Sequence, residues 1–294
     1  MTSSLLLDVS SLMYRSYFAL RQPGFYAKDG RPVAAVYGYL DMVTRLQTTR
    51  HPDEIVHVYD HDWRPIARTE IYPGYKSKRQ PDPDDLPAQF GLLRTVLDGT
   101  GMLQAQTEGW EAEDAIGAFG VDARDDDRIE IVSGDRDLIQ LVRDPVVKLL
   151  FTVRGVTELL ELDEAGVLTK YGVPASRYGE FAILRGDPSD DLPGVKGIGE
   201  KTARTLVNAF DSIDDMLAAA ARGDPAITLS NRTKLLASRD YLDAMRKIVP
   251  INADAPLTLW AGDRDDAALG ELADELGLSG PVQRLLAALD APTA

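Results

Sequence analysis

Ile129-Glu130-Ile131-Val132-Ser133-Gly134-Asp135 is the stretch that decides the fold: a short, largely apolar run that ends in a turn and a carboxylate. Two other runs end the same way. Leu5-Leu6-Leu7 is followed by Asp8, and Ile55-Val56-His57-Val58-Tyr59 by Asp60. Each run reads as a buried strand, since strands covered on both faces are near-continuously apolar. Helical patterns lie around them at Val33 to Thr48, Leu86 to Asp98 and Ala112 to Ala123. Strands alternating with helices predict an α/β fold with a parallel sheet and crossover helices. Ligands of such sheets bind beyond the carboxyl ends of the strands, where these aspartates would gather.

The remaining composition narrows the class. A chain of 294 residues, at ~100 to 200 residues per domain, predicts two domains or one with a large appendage. Hydrophobic residues at 44% and unexceptional Gly and Pro contents allow an ordinary core and exclude collagen, coiled coil and disorder. There is no cysteine, which removes disulfides, thiolate zinc sites, iron–sulfur clusters and thiol nucleophiles together. Three His make His-based metal sites and triads improbable. The opening MTSSLLLDVSS is too short in its apolar run for a signal peptide. No stretch approaches the ~18 apolar residues of a membrane span, so no membrane partner and a cytoplasmic protein are expected. The formal net charge of -15 argues against broad attraction to nucleic acid but leaves room for a local basic site.

Arg64 to Pro87 interrupts the α/β pattern. It carries Arg64, Arg68, Lys76, Lys78 and Arg79 against one acid, Glu70, before Asp82, interleaves Tyr72 and Tyr75, and ends in QPDPDDLP. An insertion of this length is usually functional, and here it reads as a lid or arch over the active edge. Taken alone it is equally a solvated charged face. From about Glu164 the chain turns helical, with Leu162 to Tyr171, Arg177 to Arg185, Glu200 to Phe210, Ile213 to Ala221 and Asn231 to Ala244. Pro256 to Trp260 reads as one more strand and Asp266 to Leu289 as helix.

GWEAEDAIGAF places Glu111, Glu113 and Asp114 at the first turn of a helix, with 111 and 114 on one face. SGDRDL adds Asp135 and Asp137. Each group alone has a bland reading, a helix-dipole charge or an ordinary loop residue. Jointly, Asp8, Asp60, Glu111, Glu113, Asp114, Asp135 and Asp137 fall at one edge of one sheet, and like charges cluster only with counterions. Oxygen-only ligands point to a hard divalent cation, Mg2+ or Mn2+. Two ions ~3.5 to 4 Å apart suit phosphodiester hydrolysis.

LRGDPSDDLPGVKGIGEKTA brings Asp187 and Asp190 just before a glycine-rich turn. GVKGIG is not a dinucleotide fingerprint, because a helical pattern and not a strand precedes it. It reads as a helix-hairpin-helix: Gly194, Gly197 and Gly199 admit a backbone phosphate to the amides opening the next helix, and Lys196, Lys201 and Arg204, with Thr202 beside them, line it. The competing reading is a plain interhelical turn.

These blocks resemble the bacterial 5' nuclease, or flap endonuclease, family, which includes the 5'-3' exonuclease domain of bacterial DNA polymerase I. LLLDVSSLMYRSYFAL, RTEIYPGYKSKR, GWEAEDAIG, SGDRDL and LRGDPSDDLPGVKGIGEKTA occur in the family's order, from Leu5 to about Leu289, and YDHDWRP is similar to stand-alone actinobacterial members. The resemblance implies a PIN-like (resolvase-like) parallel or mixed sheet flanked by helices, with a nuclease core at 1–170, an arch at about 64–92, and a helix-hairpin-helix region with C-terminal helices at 171–294. It implies a first metal cluster of Asp8, Asp60, Glu111, Glu113, Asp114 and Asp135, with Asp137, Asp187 and Asp190 at a second ion. Lys76 and Arg68 match cations on the scissile phosphate, Tyr75 would stack on the terminal base, and Arg79 would touch a phosphate. Arg21 to Pro32, with Pro23, Phe25 and Tyr26, would form a wedge. Val9, Thr69, Glu113 and Asp191 depart from the family's usual Gly, His, Asp and Asn, and no ligand is lost.

The implied function is a structure-specific 5' nuclease that uses two or more Mg2+ ions, with Mn2+ as substitute and K+ at the hairpin. Its partner would be branched or nicked DNA with a free 5' end, including RNA–DNA primer junctions, handled by a nucleoid-associated monomer. The alternatives are a noncatalytic branched-DNA binding module and a PIN-like ribonuclease.

Overall fold

The computed structural model describes residues 2–20, 24–121 and 123–291. Seven strands form one sheet: β1 (Ser3–Asp8), β2 (Glu54–Val58), β3 (Leu103–Thr107), β4 (Arg128–Ser133), β5 (Val147–Arg154), β6 (Glu158–Leu162) and β7 (Leu257–Trp260), in the order β6-β5-β4-β1-β2-β3-β7. The five central strands are parallel. The two edges, β6 on β5 and β7 on β3, are antiparallel. β1, β2 and β4 are the three apolar runs expected from the sequence, and β7 the fourth. β3 and the β5–β6 pair are additions.

The helices α1 (Val9–Ala19), α2 (Ala34–Arg50), α3 (Ile66–Ile71), α4 (Pro87–Thr100) and α5 (Ala112–Val121) belong to the first half. In the second half come α6 (Glu164–Tyr171), α7 (Tyr178–Arg185), α8 (Glu200–Ala209), α9 (Ile213–Arg222), α10 (Leu229–Ala237), α11 (Arg239–Ile248), α12 (Asp266–Leu276) and α13 (Ser279–Leu289). Two helices expected to be continuous are broken. Gly277 takes the left-handed conformation (φ 67°) and ends α12. The chain likewise breaks at Ser238, which is both the end of α10 and the residue before α11.

Side-chain alternation along β1 divides the core. Leu6 joins Val56, Ile131, Ile116, Phe181 and Leu206 on one face. Leu5 and Leu7 join Leu40, Leu93 and Leu285 on the other. Both clusters are mostly buried aliphatic side chains, with a few aromatics, and each large one contributes ~1.5 to 3 kcal/mol on burial. α12 and α13 return to pack on α4 and α2. Of the expected wedge, Arg21, Gln22 and Pro23 lie outside the described residues; Phe25 packs on Tyr37 with ring centroids 4.8 Å apart, and Tyr26 is exposed.

Candidate nuclease site

Parallel strands put their carboxyl ends on one edge, and the acids follow from that geometry. Asp8 is the last residue of β1 and caps α1, accepting from the Ser11 amide at 3.0 Å. Its second oxygen accepts from Ser133 Oγ, at the end of β4, at 2.6 Å. Asp60, just past β2, accepts from Ser10 Oγ and from the Ala112 amide at 2.8 Å, so it holds the start of α5. Glu111 precedes that helix, and Glu113 and Asp114 occupy its first turn. Asp135 follows β4 and accepts from the Asp137 amide at 2.9 Å. Backbone amides thus aim the carboxylates, and a cleft of about 680 Å³ opens over Asp8, Asp60, Glu111, Glu113 and Asp135.

The basic insertion closes over this edge. Arg68 is 2% exposed, paired with Glu111, with Glu113 at 3.0 Å and with Asp114 at 2.8 Å, and its Nε donates to the Ile248 carbonyl at 3.0 Å. Lys76 is buried between Glu111 and Asp190, the latter at 3.5 Å. The Tyr75 hydroxyl donates to Glu111 at 2.7 Å. The insertion is also tied to the second half: the Lys76 amide donates to the Asp190 carbonyl at 3.1 Å and the Lys78 amide to Asp191 Oδ2 at 2.7 Å.

Desolvation dominates the electrostatics. Asp8 is pushed up to about 7 by burial and then by the neighbouring Asp60 charge. Burial also raises Glu113 and Asp114, against the opposing pull of Arg68. Asp135 and Asp137 rise for the same first reason, and Asp137 further because Asp135 and Asp190 face it. Burial would lower Arg68 and Lys76, yet the surrounding carboxylates hold both above their ordinary values. Arg68 and Lys76 are the cations buried here, too few for the acids around them.

That imbalance is the test of a metal site. Glu113, Asp135 and Asp137 bring carboxylate oxygens within 4.8 Å of one another, and Glu111, Glu113 and Asp114 form a second such group sharing Glu113. All donors are oxygens, buried or half-buried and short of positive charge, which fits hard divalent cations.

Several expected residues are placed differently from what the resemblance implies. Arg68 faces three carboxylates and a carbonyl and is shielded from solvent, so as placed it does not reach a phosphate. Tyr75 is 2% exposed, leaving no ring face for a terminal base. Asp187 is not part of the acidic group: it accepts from Ser189 and pairs with Arg185 at 3.2 Å and Arg136 at 3.8 Å. Asp190 does reach the group, through Lys76 at 3.5 Å, and its charge faces Asp137. Arg204 is held by the Tyr171 carbonyl at 2.8 Å and by Glu200 at 2.7 Å.

The hairpin is built as a close approach. Gly194 (φ 70°) and Gly197 (φ 80°) are left-handed, and a Cβ on Gly194 would lie 2.5 Å from the Gly186 amide nitrogen. Val195 and Ile198 anchor the loop inward, while Lys196, Gly197, Gly199 and Lys201 face solvent and Thr202 is half-buried. Gly199 caps α8 without a side chain, leaving the first amides of the helix unbonded by it. Lys234 of α10 donates to the Gly197 carbonyl at 2.9 Å.

Reasoning from sequence overlooked Tyr14, Trp63, Phe90 and Arg94. They line a second cavity of about 590 Å³ beside the cleft.

The comparisons agree with this architecture. A family described as "5'-3' exonuclease, N-terminal resolvase-like domain" matches residues 3–172, and "5'-3' exonuclease, C-terminal SAM fold" matches residues 173–270. A "5'-3' exonuclease" of Streptomyces coelicolor is 42% identical, covering 98% of this chain and 100% of the relative. One of Mycobacterium tuberculosis is 40% identical over 97% of each. DNA polymerase I of Mycobacterium tuberculosis is 34% identical over 89% of this chain, which spans 29% of that protein. Among solved structures, T5 5'-exonuclease with bound zinc superposes with a TM-score of 0.67 at 17% identity, covering 97% of this chain and 98% of that one. The catalytic core of Rad2 with DNA substrate gives 0.59 at 17%, covering 99% and 93%. With both halves of its length matched in order, and the acids at the carboxyl edge of a resolvase-like sheet, the chain belongs to the 5'-3' exonuclease family.

Proposed function

We propose that the chain is a structure-specific 5' nuclease that hydrolyses phosphodiesters at junctions of duplex and single strand, as flap endonuclease and 5'-3' exonuclease, in DNA replication and repair. The observation that carries this is the desolvated carboxylate group at the sheet edge, with too few buried cations to balance it. Asp8, Asp60, Glu111, Glu113, Asp114, Asp135, Asp137 and Asp190 would hold two or more Mg2+ ions, with Mn2+ as substitute. Ions bound there would lower the pKa of the attacking water and neutralise charge developing on the phosphate. Lys76 supplies a fixed positive charge at the cleft wall, where it would hold the scissile phosphate. Arg68 fixes Glu111, Glu113 and Asp114 in place. Asp60, by holding the first amide of α5, fixes the turn from which Glu113 approaches Asp135 and Asp137.

The duplex would lie along 171–294, its backbone on the hairpin of Gly194, Lys196, Gly197, Gly199, Lys201 and Thr202, read as phosphate and not as sequence. K+ at this hairpin would compete with Lys234, which already donates to the Gly197 carbonyl. The enzyme would act as a monomer where its DNA lies, in the cytoplasm and with the nucleoid. No helix among the described residues is long and apolar enough to cross a membrane. Similar structures include the catalytic core of Rad2 in complex with DNA substrate and a T5 D15 flap endonuclease pseudo-enzyme-product complex with DNA, which supports a DNA partner here.

The test is cleavage of an end-labelled 5'-flap duplex with Mg2+, with chelator, and by Asp137→Asn, with products mapped to the nucleotide. Cutting at the junction that needs both metal and Asp137 is expected. Tight flap binding without cleavage would overturn the reading in favour of a noncatalytic module.

A further inference from the structure

Lys76 lies on a stretch, Pro73 to Arg79, that belongs to no helix or strand and is held within itself by turn bonds alone, the Arg79 amide reaching the Lys76 carbonyl at 3.5 Å. What fixes it comes from two neighbours. Arg64 braces one side, its guanidinium donating to the Tyr75 carbonyl at 2.7 Å and to the Pro73 carbonyl at 2.7 Å. On the other side stand a single helical turn, Pro188–Asp190, and the residue that ends it, Asp191. The Asp190 carbonyl accepts from the Lys76 amide at 3.1 Å and Asp191 Oδ2 from the Lys78 amide at 2.7 Å, a two-point clamp on residues 76–78. Asp191 is itself held firmly, because Asp187 and Leu192 exchange backbone bonds of 3.0 and 2.8 Å around it. Three non-glycine residues among the described ones have a left-handed backbone: His51 at the end of α2, Lys76 (φ 48°) and Asp191 (φ 57°). Aspartate tolerates this conformation and lysine takes it rarely. Such residues persist where their surroundings over-determine them, and here two of the three meet at one seam.

We propose that Asp191 is a positioning residue of the nuclease site: by accepting from the Lys78 amide it holds residues 76–78 so that the Lys76 ammonium stays at the cleft wall. The need for it arises from the partners of that ammonium. Glu111 and Asp190 pair with Lys76, and both are among the carboxylates assigned to the metal ions. Oxygens engaged by ions no longer secure Lys76, so the backbone clamp has to. The clamp requires an acceptor oxygen on a left-handed residue and not a charge. Asparagine meets both conditions, and glycine only the second. The proposal deepens the nuclease reading and rests on it, since Lys76 matters for cleavage only if a phosphate is cut at these carboxylates.

The test compares, in the full chain, Asp191→Gly, which keeps the left-handed backbone and deletes the acceptor, with Asp191→Asn, which keeps both. In chelator, hydrogen exchange of the Lys78 amide should speed up about tenfold in Asp191→Gly, the scale of one hydrogen bond to a charged group, and return to the wild-type rate in Asp191→Asn. With Mg2+, kcat on a 5'-flap duplex should fall about tenfold or more in Asp191→Gly, toward the ~10²-fold cost of a ~1 Å misplacement, with KM unchanged and with recovery in Asp191→Asn. A residue that acts through Lys76 adds nothing once Lys76 is gone. Asp191→Gly should therefore leave the residual rate of Lys76→Ala unchanged, whereas general damage to the fold would multiply with it. Asp191→Ala removes the same oxygen and gives an independent reading if the glycine loosens the turn. An unaltered exchange rate or kcat in both deletions, or effects that multiply with Lys76→Ala, would overturn the proposal while leaving the nuclease reading intact. A wild-type chain that never cuts would sink the nuclease reading instead, and is told apart because the exchange difference between Asp191→Gly and Asp191→Asn would stand.

Discussion

Replacing Arg68 with Met removes a guanidinium that touches Glu111, Glu113 and Asp114 at once and leaves those carboxylates desolvated with Lys76 alone. Breaking a buried ion pair by deleting one partner costs ~3 to 5 kcal/mol, because the remaining charge stays uncompensated. At ~2 to 4 °C per kcal/mol for a chain of this size, the melting temperature should fall by about 10 °C in chelator. The pH dependence identifies the cause. Burial raises Glu113 and Asp114 above their unfolded values, so the folded state binds more protons than the unfolded one in that window, and stability falls as pH rises through it. Without Arg68 both groups rise further. The deficit of Arg68→Met should therefore be large at pH 8 and shrink toward pH 5, where protons replace the lost cation. Divalent cation added at pH 8 should stabilise the variant more than the wild type. The assay is thermal unfolding of both proteins at the two pH values, with chelator or Mg2+. A deficit below ~1 kcal/mol, or one that is the same at pH 5 and pH 8, would refute the view that Arg68 balances the acids.

His57 gives a pH dependence of opposite sign. Its ring is fully buried, Nδ1 meets the Tyr39 hydroxyl at 2.7 Å, and burial pushes it down to about 3 from 6.5. The contribution is complete above pH 6.5 and is lost as pH falls toward 3, by ~1.4 kcal/mol per unit. The difference in urea midpoint between His57→Gln and wild type should change between pH 7 and pH 4, and a constant difference would contradict it. Gly194→Ala should weaken duplex binding together with local stability, since the residue is left-handed and its Cβ would lie 2.5 Å from the Gly186 nitrogen. Hydrogen exchange around 184–199 and a phosphate-backbone binding titration check both, and wild-type protection there would count against the tight-turn account.

The strands that end in Asp8, Asp60 and Asp135 were legible because strands buried on both faces are nearly continuously apolar, interrupted here only by His57 and Glu130. β3 was hidden by Gln104 and Thr107, polar yet fully buried. Gln104 is accommodated by Tyr59 and Asp98, at 2.9 and 2.6 Å, partners that sequence does not reveal. Val147 to Leu162 alternates too unevenly to separate strand from helix: β5 is buried at four of its eight positions, and β6, at the edge, is buried only at Leu162. In the site, residue type showed which groups are acids but not what each faces. Arg68 and Asp187 were assigned by motif, and their burial against Glu111 and Arg185 depends on where α11 and α7 dock. The aromatic cavity draws on four separated segments, so no local pattern announces it.

β7 comes from after residue 250 yet forms the outermost strand beside β3, and α12 and α13 cover α4 and α2. The two stretches that match separate family descriptions are therefore interlocked, and a fragment ending at residue 172 would be stripped of its own border. It would present the bare backbone of Leu103–Thr107 and an uncovered apolar face on Leu40 and Leu93, a template for self-association. The proposed division of labour between catalysis and DNA holding would thus be built on a fold that cannot be divided at the same seam.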